Sequence, residues 1–123
     1  MSDTPQGGVI HYDGGYSMAH GLGCWAVVLA DGRNATLLLA RGNVPASQAQ
    51  DAEREALVQA LSAAEALGIT HVYGDWIDGD VPIPPGITVE HIPSRRNKAD
   101  DYTKDYPNWF EHERTKRGVK EEP

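Results

Sequence analysis

Cysteine is nearly absent from this 123-residue chain. Cys24 stands alone, so no intramolecular disulfide can form and no cysteine-rich zinc site can be built. Long apolar runs are missing as well, and none approaches the roughly 18–20 residues that span a bilayer. The opening residues Met1-Ser2-Asp3-Thr4-Pro5-Gln6 have neither the basic start nor the apolar centre of a secretory signal. These absences make a reducing cytoplasm the expected location and leave no membrane partner to expect. Positive charge is in deficit, with 11 Lys and Arg against 18 Asp and Glu and a net charge of −7. A protein that simply coats nucleic acid needs the opposite balance. The few basic residues are clustered at Arg95-Arg96-Asn97-Lys98 and Arg114-Thr115-Lys116-Arg117, so a nucleic acid could still meet a local patch. The histidines at 11, 20, 71, 91 and 112 share no zinc-type spacing.

What is present suits one globular domain with a hydrophobic core of its own. Residues 1–7 are polar with Pro and Gly, the composition of a flexible tail. Val9-Ile10-His11-Tyr12-Asp13 alternates like a strand, and Gly14-Gly15 breaks it. Cys24–Ala30 is too apolar for an exposed strand, and Asp31-Gly32 signals a tight two-residue hairpin turn into a return strand over Ala35–Arg41. After the turn at Gly42–Pro45, the spacing predicts a long helix that Ser47 could cap and Gly68 ends. A strand follows over Ile69–Asp75, then a proline-bearing loop over Trp76–Gly86, where Pro82, Pro84 and Pro85 exclude a helix. A fifth strand spans Ile87–Ile92. Lys98–Tyr106 can be helical, and residues 107–123 form a C-terminal helix or tail.

Two acids end strand-like runs, Asp13 and Asp75. In an α/β protein, catalytic groups gather at the carboxyl ends of neighbouring parallel strands. If these two runs pair, their carboxylates meet at one edge of the sheet, and a divalent cation is the simplest neutraliser. The helix supplies a third acid. At 100° per residue, Ala49, Ala56, Leu57, Ala60, Ala64 and Leu67 share one face. Glu53 falls near the middle of it, while Glu55 falls opposite with Asp51 and Ser62. A carboxylate on a core-facing stripe is costly unless it is paired or bound to a cation. Taken singly, Asp13 could be a turn residue and Asp75 or Asp100 a local helix or turn acid.

Tyr12-Asp13-Gly14-Gly15, Ala52-Glu53-Arg54-Glu55-Ala56-Leu57, Val72-Tyr73-Gly74-Asp75 and Ile92-Pro93-Ser94-Arg95-Arg96-Asn97-Lys98-Ala99-Asp100 occur in the order, and on the elements, of the ribonuclease H family, which the chain resembles over about residues 8–104. The Pro-Ser-Arg-Arg-Asn form is similar to that of archaeal and plant-type members, which lack the histidine of the bacterial active-site loop. Arg95 would stand near that position. The resemblance implies an α/β fold with a five-stranded mixed sheet, three antiparallel strands and then parallel ones, flanked by helices in a domain over residues 8–106. It also implies an endonuclease that hydrolyses the RNA strand of RNA–DNA hybrids with two Mg²⁺ ions, or Mn²⁺, held by Asp13, Glu53, Asp75 and Asp100. Asp101 competes for the last place. Gly14, Gly15, Tyr16, Arg95 and Asn97 are the implied substrate contacts.

The chain departs from the family in two places. The helices that the family usually inserts between strands four and five are replaced by the Trp76–Gly86 loop, and the residue after Asp75 is Trp76 where a small polar residue is usual. These departures leave two other readings open. One is a non-catalytic nucleic-acid-binding or adaptor module on the same fold, and the other is a nuclease for branched DNA.

Overall fold

A computed structural model of the chain describes residues 8–17, 21–31 and 35–103, except for the side chains of Ser17 and Asp101. The expected tail over 1–7, the glycine of the Asp31-Gly32 turn, the end of the second helix and the whole segment 107–123 lie outside the described residues.

Five strands form one sheet in the order β3-β2-β1-β4-β5. They are β1 (Val9–Ser17), β2 (Leu22–Ala30), β3 (Thr36–Pro45), β4 (His71–Gly74) and β5 (Thr88–His91). The first three are antiparallel neighbours, while β4 lies parallel to β1 and β5 parallel to β4. This is the mixed sheet expected from the sequence. β1 and β2 run longer than the apolar pattern indicated, because the ladder continues through Gly14, Gly15 and Tyr16 opposite Trp25, Cys24 and Gly23. Gly14-Gly15 therefore does not break the strand. The β2–β3 connection is also longer than a two-residue turn. The Asp31 N–H donates to the Ala35 carbonyl at 3.1 Å, and the Asp31 carboxylate takes the Ala35 N–H at 3.2 Å. Between Val27 and Val28 the register shifts from Ala40 to Leu38, so Leu39 is an extra, bulged residue in β3.

The first helix, α1 (Ala49–Leu67), crosses between β3 and β4 and packs on one face of the sheet against Ile10, Tyr12, Val27 and Val72. Its buried residues are Ala52, Ala56, Leu57, Ala60, Leu61 and Ala64. Compared with the sequence wheel, Ala52 and Leu61 replace Ala49 and Leu67 on the buried face; Ala49 is exposed and Leu67 is 53% exposed. The close approach of helix to sheet explains the rotation. A Cβ on Gly14 would sit 2.5 Å from the backbone of Ala52 and Glu53, so only glycine lets α1 rest on β1 here. Gln48 is the N-cap residue and makes no side-chain cap bond. Ser47 instead donates its N–H and hydroxyl to Asp51 Oδ2 at 3.0 and 3.4 Å. At the other end Gly68 takes the left-handed conformation (φ 71°), and its N–H closes on the Ala64 carbonyl.

The opposite face of the sheet carries a smaller cluster of Ala26, Val28 and Ala99, with Leu38 and Tyr102 against it. A 3₁₀ turn over Ser94–Arg96 leads there from β5, and the short helix α2 (Asp100–Thr103) follows. Residues 75–87 between β4 and β5 contain no helix, as their prolines required. Among the described residues no helix is long and apolar enough to cross a membrane.

Candidate metal centre

The β1–β4 ladder holds only the pairs Ile10–Val72 and His11–Tyr73. Beyond them that ladder stops: Asp75 directly follows the end of β4, and Asp13 lies midway along β1, two residues past its last pair with β4. A carboxylate oxygen from each of Asp13, Glu53 and Asp75 lies within 4.8 Å of the others. Glu53 reaches the cluster from the flank of the buried helix face, partly exposed. Asp100, the first residue of α2, adds to the negative charge at Asp13, but it is not one of the three acids whose oxygens lie within 4.8 Å.

Each of the three central acids is oriented through one oxygen by a donor of the protein. Thr103 Oγ1 donates to Asp13 Oδ2 at 2.5 Å. The Gly14 N–H donates to Glu53 Oε1 at 3.2 Å, and Ser94 Oγ to Asp75 Oδ2 at 2.6 Å. Burial is the main reason the Asp13 pKa rises to about 7. The Thr103 bond works against that rise, and the charges of Asp75 and Asp100 add to it. Burial again leads for Glu53, with the charges of Asp13 and Asp75 behind it, and its pKa rises to about 9. The cluster thus resists carrying its full negative charge. Hard oxygen donors at this separation and under this mutual repulsion fit a divalent cation such as Mg²⁺ or Mn²⁺.

The supporting residues are packed in from β1. Asn97 is 4% exposed; its Nδ2 donates to the Tyr12 carbonyl at 2.8 Å and its Oδ1 accepts the Ala99 N–H at 3.0 Å. Its carboxamide is thereby engaged inside the fold. His11 Nδ1 accepts the Lys98 N–H at 3.0 Å, and burial, followed by the Lys98 charge, lowers its pKa to about 4. It is a neutral anchor for the same loop. Cys24 is buried, and burial raises its thiol to about 12, which makes it an inert strand residue. Gly14, Gly15 and Tyr16 continue β1 directly beyond Asp13, and Arg95 is exposed in the 3₁₀ turn whose Ser94 holds Asp75. The Asp101 side chain lies outside the described residues.

Pattern reading had no access to Thr103, Ser94 or the pair Arg54–Asp78. Each meets its partner across 19 to 90 residues of sequence.

The sequence profile of the reverse transcriptase-like family matches residues 11–81, which is 71 of the 123 residues. The chain belongs to that family. Its fold is ribonuclease H-like, as solved structures show. LC11-RNase H1, an enzyme isolated from compost and crystallised with an RNA/DNA hybrid, is 22% identical with a TM-score of 0.61, covering 79% of this chain and 94% of its own. RNase H1 of the halophilic archaeon Halobacterium salinarum is 20% identical (TM-score 0.56, 81% and 96% covered). The N-terminal RNase H domain of a Mycobacterium tuberculosis protein is 23% identical (0.57, 79% and 90%). At these identities the likeness speaks for the fold. A search of curated protein sequences finds no match.

Proposed function

We propose that this reverse transcriptase-like chain is a divalent-metal-dependent endonuclease acting on the RNA strand of RNA–DNA hybrids. Asp13, Glu53, Asp75 and Asp100 would hold two Mg²⁺ or Mn²⁺ ions. The observation that carries the reading is the convergence of Asp13 on β1, Glu53 on α1 and Asp75 just after β4 to within 4.8 Å. Divalent ions bound there supply neutralisation of phosphate charge and activation of water for attack. The chain's own residues set the geometry. Asp13, the most buried acid among the described residues, is the hub, with Thr103 fixing one of its oxygens. Gly14 and Ser94 orient Glu53 and Asp75 in the same way.

Substrate contacts in this reading come from Gly14, Gly15 and Tyr16 along β1, whose backbone and hydroxyl groups suit the 2′-hydroxyls of a shallow minor groove. Arg95 offers a charge for the phosphate backbone, and Asn97 acts by holding the loop that carries it. The resemblance to an RNase H1 seen with an RNA/DNA hybrid supports the choice of ligand.

The test is cleavage of end-labelled RNA–DNA hybrid, double-stranded RNA and a four-way DNA junction, each with Mg²⁺, Mn²⁺ or EDTA. The expected result is metal-dependent cutting of the hybrid's RNA strand that Asp13→Asn abolishes. An Asp13→Asn protein that cuts at the wild-type rate would refute the assignment. Hybrid binding without cleavage in either metal would favour the non-catalytic reading, and preference for the junction would favour branched DNA.

A further inference from the structure

Among the described residues only two acids are buried, Asp13 at 4% exposure and Asp78 at 7%. The first belongs to the metal centre; the second does not. Asp78 sits in the irregular segment between β4 and β5, three residues after Asp75. Both its oxygens are engaged: Arg54 Nε donates to Oδ2 at 2.6 Å, and the Asp80 N–H donates to Oδ1 at 2.9 Å. Arg54 immediately follows Glu53 on α1. The same segment is held a second time, because the Tyr12 hydroxyl donates to the Trp76 carbonyl at 2.7 Å, and Tyr12 immediately precedes Asp13.

The pattern is specific. The backbone following Asp75 is tethered at Trp76 to the residue before Asp13 and at Asp78 to the residue after Glu53. The three acids of the centre therefore each lie next to a tether, and both tethers converge on residues 76–78. Short β4 fixes Asp75 poorly by itself, since its ladder to β1 stops at Tyr73 and Asp75 lies beyond it. No helix follows to brace that end.

We propose that the Arg54–Asp78 ion pair is a clamp that positions Glu53 against Asp75 and so sets the spacing of the acidic centre; this rests on reading that centre as a metal site. Arg54 is half exposed (50%), so solvent weakens the pair as a source of stability. What the pair contributes is alignment. Both are positioning residues, acting through the neighbouring carboxylates.

The test uses the full chain with Arg54→Met, Arg54→Lys and Asp78→Asn. Asp78→Asn keeps an acceptor for Asp80 and loses the charge facing Arg54. The exposed Arg54 gives variants that keep the fold if Asp78→Asn does not. Two readouts are taken. One is hydrogen exchange by NMR in EDTA at the Gly14 N–H, which reports the Glu53 side chain through their hydrogen bond from a residue that makes no bond to Arg54 or Asp78. The other is Mn²⁺ affinity by calorimetry. The clamp predicts faster exchange at Gly14, with amides of the β2–β3 ladder unchanged, and Mn²⁺ affinity about 5- to 10-fold weaker in Arg54→Met. That is at or just below the lower bound of the roughly 10–100-fold effect of groups that orient metal ligands, as suits a residue acting one step further out. Arg54→Lys should recover part of the loss. Unchanged Gly14 exchange and unchanged affinity, or a fall in melting temperature alone, overturns the proposal. If the wild type itself fails to bind Mn²⁺, the metal-site reading fails, and the exchange arm alone decides whether the clamp exists.

Discussion

Replacing Asp13 with Asn should stabilise the metal-free protein while abolishing the proposed cleavage. In the folded chain the Asp13 pKa lies at about 7, against 3.8 for an ordinary aspartate, a rise of about three pH units. At about 1.4 kcal/mol per unit, the ionised carboxylate then costs the fold up to ~4 kcal/mol. Neighbouring acids that share protons relax part of this, so we take ~2 kcal/mol as the expected gain in Asp13→Asn. For a domain of this size that is roughly 6–12 °C in melting temperature.

The pH dependence follows from the direction of the shift. Because the folded state holds the proton more tightly than the unfolded chain, the favourable contribution is whole below pH 3.8 and is lost as pH rises to about 7. The gap between variant and wild type should be widest at pH 8 and close towards pH 4. Scanning calorimetry in EDTA across that range measures it, with a parallel series in Mn²⁺. There the wild type should gain stability and the variant should not, since a ligand bound only by the native state raises its melting temperature. If Asp13→Asn melts below the wild type at pH 8 in EDTA, or the gap is the same at pH 5 and pH 8, the account of a mutually repelling centre is wrong.

Two further changes test the supports. Asn97→Ala strands the Tyr12 carbonyl and the Ala99 N–H in a buried site, and should lower stability by about 2–3 kcal/mol in urea unfolding. A near-neutral result would mean that water replaces the carboxamide. Gly74→Ala would drive a methyl into the Tyr12 ring. It should cost about 2–3 kcal/mol in the same assay, with loss of Mn²⁺ binding if Asp75 moves with it.

Much of this architecture was legible in the chain because local chemistry and tertiary placement agree. Val9–Asp13 and Ile69–Asp75 carry strand character into an acid, and the paired strands do bring those acids together. Gly68 ended its helix as expected, since the left-handed turn there favours glycine. Glu53 was singled out from the helix wheel even though the wheel was rotated. The error arose because the true buried face depends on where α1 meets the sheet. That contact is fixed by the missing side chain of Gly14, which is a property of two elements and not of one. Gly14-Gly15 read as a breaker for the same reason: glycine permits a turn, but here it makes room for a helix. The donors Thr103, Ser94 and Arg54 have no local signature. Each becomes meaningful only when distant parts of the chain are side by side.

The bulge at Leu39 has a consequence for how the molecule behaves in company. A sheet of this kind has two borders, each a row of amides and carbonyls onto which another strand could add. On one border β5 is only four residues long. On the other, β3 is long enough to act as a template, but its extra residue kinks and twists it midway. Deleting Leu39 would straighten that border into an unbroken nine-residue rail with Leu37 already 59% exposed, and light scattering should then show the shortened protein growing into aggregates faster than the full sequence.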